Sequence, residues 1–181
     1  MTQQLPSAGT YELDRSHTNV GFSARHLMVS KVRGRFTDFS GTIVVADKPE
    51  DSSVEVTIQA ASVDTRDEQR DGHLRGADFF DVEEHPTLHF VSTKVEQGKG
   101  DRWNVTGDLT IHGKTNPVLL GVDFNGLTTS PWGKAVIGFE ASTNVDREDW
   151  GLTWNAALEA GGVVVSKKIK IELDVEAIKV D

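Results

Sequence analysis

The chain has 181 residues, with 28 Asp and Glu against 19 Lys and Arg, a net charge of −9 and no cysteine. The acidic balance argues against a nucleic-acid binder and against docking on anionic lipid through a general basic surface. The missing cysteine removes disulfides, thiol nucleophiles and cysteine-ligated zinc.

Apolar residues make up 37% of the chain and charged residues 26%, the balance of a water-soluble globular protein. No apolar run approaches the roughly 18 residues of a membrane-spanning helix. The opening MTQQLPSAGTYEL has neither the positive start nor the apolar stretch of an export signal, so a cytoplasmic location is expected.

Residues 1–9 read as a loose lead-in. Tyr11 and Leu13 alternate with Glu12 and Asp14, a first short strand. Val20, Phe22 and Ala24 alternate with Gly21, Ser23 and Arg25, a second. His26-Leu27-Met28-Val29 does not alternate and is read as a helical turn or bend. Phe36 and Phe39 lie between Gly34 and Gly41, and Thr42–Ala46 continues as strand to the turn Asp47–Asp51. Val54, Val56 and Ile58 against Glu55, Thr57 and Gln59 give a clean period of two.

Thr65–Pro86 breaks this pattern. Thr65 followed by Glu68 has the spacing of a capping box, with Asp67 and Glu68 placing negative charge in a first turn. A helix is therefore expected to about Leu74, broken by Gly72 and Gly76, with Arg75–Phe80 returning the chain to strand. Phe79 and Phe80, adjacent in a charged connection, need burial. A helix with an aromatic foot between strands suggests a lid or plug on a β-structure.

Leu88 and Phe90 open the next strand, which runs to Val95. Trp103, Val105, Leu109 and Ile111 follow, then Val118, Leu120, Val122 and Phe124, with a turn expected over Gly113–Pro117 and an end at Asn125-Gly126. Ala135, Ile137, Phe139 and Ala141 line one face of another strand. Asp146–Leu152 reads as a short helical turn, and Val165, Ile169, Ile171, Leu173 and Val175 form a long final strand. About eight strands at meander spacing, without an internal linker, indicate one all-β domain spanning 1–181. Because most strands are apolar on one face, the sheet must close or stack. An eight-stranded up-and-down barrel holds packed side chains or one small ligand, and the chain length favours the hollow case.

The chemical motifs are weak. Gly113-Lys114-Thr115 lacks the earlier glycine of a phosphate loop, a position held by Asp108, and precedes a strand. Gly21–Arg25 lacks the second glycine of a nucleophile elbow. His85 and His89 are four apart, but Pro86 forbids a regular helix; on a strand they stand about 13 Å apart, too far to share a metal. Asp78, Asp81, Glu83 and Glu84 read as a solvated acidic rim. Asn104-Val105-Thr106 fits a glycosylation sequon by chance. No catalytic residue, metal site or cofactor is expected. His26 and Arg75 either meet the polar head of an amphipathic ligand or serve as caps and salt-bridge partners.

Several blocks together carry a family resemblance. His17–Phe39 (HTNVGFSARHLMVSKVRGRFTDF), Ser62–Thr65, His73-Leu74-Arg75, Asp78–Val82, His85-Pro86-Thr87, Phe90–Thr93, Gly107–Gly113 and Arg147–Gly151 occur in order, and the set resembles the YceI-like family. The resemblance spans nearly the whole chain. It implies an extended antiparallel, lipocalin-like β-barrel with a short helical insertion near its mouth. It also implies a cavity for a long-chain lipid such as a polyisoprenoid, an isoprenoid quinone or a fatty amide, and a homodimer. Many members are periplasmic, which this N-terminus does not match, and the family offers no catalytic residues to carry over.

The strand pattern nominates Phe22, Val56, Ile58, Phe90, Leu109, Ile137, Phe139, Ile169 and Ile171 as cavity lining. Leu27, Met28, Leu74, Phe79, Phe80 and Trp150, with His26 and Arg75, are placed around the mouth. The leading expectation is non-enzymatic binding, storage or transport of an apolar lipid. The alternatives are an enzyme acting on such a lipid through His26 and acidic residues, or a dimeric stress-related protein with a packed interior.

Overall fold

Alternating strands closed by short turns have only their own neighbours to pair with, and the chain follows that route. A computed structural model describes residues 4–156, 158 and 163–181; residues 1–3 of the expected lead-in lie outside these. The strand segments are β1 (Gly9–Leu13), β2 (Asn19–His26), β3 (Ser30–Phe36), β4 (Phe39–Val45), β5 (Ser53–Gln59), β6 (Val63–Asp64), β7 (Thr87–Gln97), β8 (Trp103–Ile111), β9 (Lys114–Thr129), β10 (Ala135–Asp146) and β11 (Lys168–Lys179). All pairings between them are antiparallel.

Three strands are interrupted. β1 and β2 lie end to end along β11, with Leu13 opposite Ala177 and Asn19 opposite Asp174, separated by a 3-10 turn at Arg15–His17. β3 and β4 divide at Thr37-Asp38, and β5 and β6 at the turn Ala60–Ser62. The 11 segments thus form a closed barrel of 8 strands, sealed where β1 meets β11. Inward positions form two apolar clusters, a large one containing Phe36, Ile58, Phe90, Leu109 and Trp150 and a smaller one of Tyr11, Phe124, Ile137 and Ala177.

Local details depart from the sequence reading. Helix α1 spans Glu68–Arg75, and its cap is Asp67, whose carboxylate accepts the Arg70 N–H at 2.9 Å. Thr65 is instead buried, donating its backbone N–H and hydroxyl to the buried carboxylate of Asp71. Gly72 sits inside the helix on its exposed face, where a missing side chain costs about 1 kcal/mol and breaks nothing. Residues after Arg75 form successive turns, not a strand. Their N–H groups find carbonyls close by (Phe80 to Leu74, Val82 to Arg75, His85 to Asp81), so no strand partner is needed.

Of the helical turn or bend expected over His26–Val29 the structure has the bend, a hairpin tip with Leu27 and Met28 both left-handed at φ 52° and 63°. Only His112 and Gly113 turn between β8 and β9, because Ile111 already pairs with Lys114. β9 continues past Asn125-Gly126 to Thr129. A register shift there leaves Asn125 unpaired, and Gly126 (φ 139°) absorbs the bulge. At one end of the barrel Leu5 and Pro6 reach the interior, while Ser7 accepts from the Tyr11 hydroxyl at 3.0 Å. Among the described residues no helix is long and apolar enough to cross a membrane.

Candidate functional site

The barrel is hollow. Its cavity measures about 540 Å³ and runs from Pro6, Ala46, Pro49 and Ser53 at one end to His73, Leu74, Phe79 and Trp154 at the other. That volume lies within the range of small-molecule sites. The wall is overwhelmingly apolar because every strand turns its alternate apolar residues inward. Aromatic contacts carry this wall into the insertion: Phe22 to Phe36 and Phe36 to Phe80 both have ring centroids 5.6 Å apart. Gly34, opposite Phe22, makes room for the first ring, since a Cβ there would meet Phe22 Cζ at 2.3 Å.

Of the strand residues nominated from sequence, Phe22, Val56, Ile58, Phe90, Leu109, Phe139, Ile169 and Ile171 line the cavity. Ile137 does not; it faces inward but is closed over by Tyr11, Phe124 and Ala177 in the smaller cluster. Of the mouth residues, His26, Leu74, Phe79, Phe80 and Trp150 line the cavity. Leu27 and Met28 do not, because the left-handed hairpin tip turns them to solvent. Arg75 points away as well, donating to the carbonyls of Ala61 at 2.8 Å and Val63 at 3.0 Å. These bonds tie α1 to the strand below; Arg75 forms neither a helix cap nor an ion pair with Asp78 or Asp81.

The lid end contains polar groups that the pattern does not single out. Arg147, buried in a 3-10 turn (Arg147–Trp150), lines the cavity and donates to the carbonyls of Leu152, Ser166 and Val165. Burial pushes its guanidinium pKa down from the ordinary value, while Glu148 and Asp146 pull it back up. Its carbon stands 6.0 Å over the Phe79 ring. His73 also lines the cavity. It bonds Asp78 at 2.9 Å and sits edge-on to Trp154 at 4.7 Å and Phe79 at 5.1 Å. His26, by contrast, has no carboxylate within hydrogen-bond distance among the described residues.

A sequence model of the YceI-like domain matches residues 11–177. The chain belongs to the YceI-like family. A Staphylococcus epidermidis UPF0312 protein is 37% identical over 169 residues, covering 92% of this chain and 95% of the relative. A Staphylococcus aureus UPF0312 protein is 38% identical over the same span of 169 residues and the same shares, 92% and 95%. The crystal structure of the Campylobacter jejuni YceI protein superposes with a TM-score of 0.75 at 30% identity, covering 100% of both chains. A polyisoprenoid binding domain from Saccharophagus degradans has the same fold, with a TM-score of 0.72 at 15% identity over 96% of this chain and 100% of that domain.

Two signals could have exposed the missed residues of this YceI-like chain. Arg147 lies three residues before Trp150, the spacing that puts both on one side of a single turn. His73 lies one position before the nominated Leu74 in the same short helix. Two clusters elsewhere present metal-binding donors, Asp81 with His85 and His112, and Asp14 with His17 and Glu176. Neither cluster lines the cavity.

Proposed function

We propose that the protein binds one long-chain apolar lipid of the polyisoprenoid type, including isoprenoid quinones, along the barrel cavity, and carries or stores it without chemical change. The observation behind this reading is the continuous apolar cavity of about 540 Å³ that reaches from one end of the barrel to the other. Burying each methylene of a chain contributes about 0.8 kcal/mol, so a prenyl tail is held without specific polar contacts. His26, His73 and Arg147 line the lid end, where they would meet a headgroup, while Asp47, Ser52 and Ser53 line the other end. The fold shared with a polyisoprenoid binding domain supports the same ligand class.

Native mass spectrometry followed by organic extraction tests the reading. A prenyl or other long-chain species near one per chain supports it. A protein that is empty and ignores added polyprenols and quinones overturns it in favour of a packed-interior role. The same spectra report whether two copies associate, as expected from the family.

A second reading, acid–base chemistry on the bound lipid, draws on the His73–Asp78 pair rather than on His26. Conversion of an added polyprenyl ester, abolished by His73→Ala with lipid binding retained, would establish it. Recovery of unchanged lipid supports the carrier.

A further inference from the structure

Three side chains meet outside the cavity, where the segment after α1 passes the β8–β9 hairpin. A carboxylate oxygen of Asp81 and one ring nitrogen each of His85 and His112 lie within 4.8 Å of one another. The two imidazoles cross at a centroid distance of 4.8 Å and 68°. All three residues are half-buried.

The backbone sets up this convergence. Asp81 and His85 lie on the same side of one turn, linked by the His85 N–H donating to the Asp81 carbonyl at 2.8 Å. His112 (φ 53°) and Gly113 (φ 72°) form a two-residue hairpin turn with both central residues left-handed. Gly113 is needed there twice over: for its φ, and because a Cβ would stand 2.9 Å from His85 Cε1. The His85 ring therefore rests directly on the turn that presents His112.

What points to a ligand is the lack of partners. Among the described residues, none of these three side chains makes a hydrogen bond or ion pair, and His112 Nδ1 is a buried polar atom with no partner. Folded chains rarely leave such a nitrogen unpaired, and a site built to take an ion is one reason they do. The Asp14–His17–Glu176 cluster shows the contrast. There His17 Nδ1 already bonds Asp14 at 2.7 Å and lies 3.7 Å from Glu176, so a proton does the work a metal would.

We propose that Asp81, His85 and His112 form a site for a divalent transition-metal ion of the zinc class. Two imidazoles and a carboxylate suit zinc, cobalt or nickel, with water at a fourth position. They do not suit calcium or magnesium, which require more oxygen donors. The neighbouring cation is Lys114, whose Nζ approaches Gly151 from the side that His112 Nδ1 also faces; its exposed side chain can turn to solvent. The ion would link the segment following Phe79 and Phe80 to the barrel wall, fixing that end of the cavity whatever the cavity holds.

The test is titration of the full chain, stripped with chelator, with Co²⁺ and with Zn²⁺. We expect one equivalent per chain, the visible spectrum of tetrahedral cobalt, a raised Tm, and zinc-induced shifts of the His85 and His112 ring resonances. His85→Gln and His112→Gln should each weaken binding by at least roughly tenfold, the loss caused by removing even an outer partner of a metal ligand. His17→Gln and His89→Gln should leave it unchanged. No binding, binding that needs His17, or binding undiminished in both His85→Gln and His112→Gln overturns the site. The ring resonances of the unmutated protein decide the matter if a variant fails to fold.

Discussion

The indole N–H of Trp150 donates to the backbone carbonyl of Leu109 at 2.9 Å, tying the turn after β10 to the wall of β8. Both residues line the cavity, and Trp150 is 2% exposed. Trp150→Phe keeps a ring but loses the bond and some packing. It should cost about 1–3 kcal/mol, lowering the Tm by about 2–12 °C for a chain of this size. Thermal unfolding followed by circular dichroism reads this directly. An unchanged Tm would mean that the bond does not organise the turn.

Arg147 holds the same end by a different means. Its guanidinium serves three backbone carbonyls, of which Ser166 and Val165 come from the far side of the 151–167 connection. Methionine fills the stem's space but supplies no donor, so Arg147→Met should destabilise the protein by about 2–4 kcal/mol. Lysine should restore only part, since an ammonium cannot fork toward several carbonyls. Hydrogen exchange should show Leu152, Val165 and Ser166 losing protection in Arg147→Met before the barrel strands do.

The strand faces were legible because period-two alternation is local: Val54, Val56 and Ile58 point one way whatever surrounds them. Depth along the barrel is not encoded by that alternation. Ile137 and Phe139 share a face of β10, yet Tyr11 and Ala177, distant in sequence, close over Ile137 and leave Phe139 at the cavity. Leu27 and Met28 looked like mouth residues by composition, but two left-handed backbone angles decided where they point. The capping box at Thr65 gave way because the buried carboxylate of Asp71 claims Thr65, which leaves Asp67 to cap the helix. Arg147 was hidden in a charged run that resembles a solvated loop. The meeting of His85 with His112 depends on a contact between segments far apart in sequence.

Ala141 offers a way to shrink the cavity from its wall. It is half-buried on β10, lines the cavity, and lies opposite Leu173 of β11 and Val122 of β9. Ala141→Phe should displace about four methylenes of a bound chain, worth roughly 3 kcal/mol at about 0.8 each, or about a 100-fold loss of affinity. Leu27→Ser, at the exposed tip, should leave affinity unchanged. Displacement of a fluorescent polyprenyl probe measures both, with circular dichroism confirming the fold. Equal affinity in the two variants would place the ligand outside the barrel.

Asp14 and His17 span the break between β1 and β2, bonded at 2.7 Å, with Glu176 of β11 at 3.7 Å. The hydrogen bond that His17 donates to Asp14 raises the His17 pKa above its ordinary 6.5, helped by the charges of Asp14 and Glu176. Hydrogen bonds from His17 and Ser16 lower the Asp14 pKa below 3.8. The His17 contribution to stability is therefore fully present below pH 6.5 and lost as pH rises through the raised folded value. The Asp14 contribution is present above pH 3.8 and lost as pH falls through the lowered one. The pair is at full strength between those limits. Because His17 is exposed and screened by solvent, the sensitive readout is its ring resonance rather than the Tm. In an NMR titration His17 should have a midpoint above 6.5, and Asp14→Asn should bring that midpoint down toward 6.5. A midpoint unmoved by Asp14→Asn would show that Glu176 alone, or neither carboxylate, governs the imidazole.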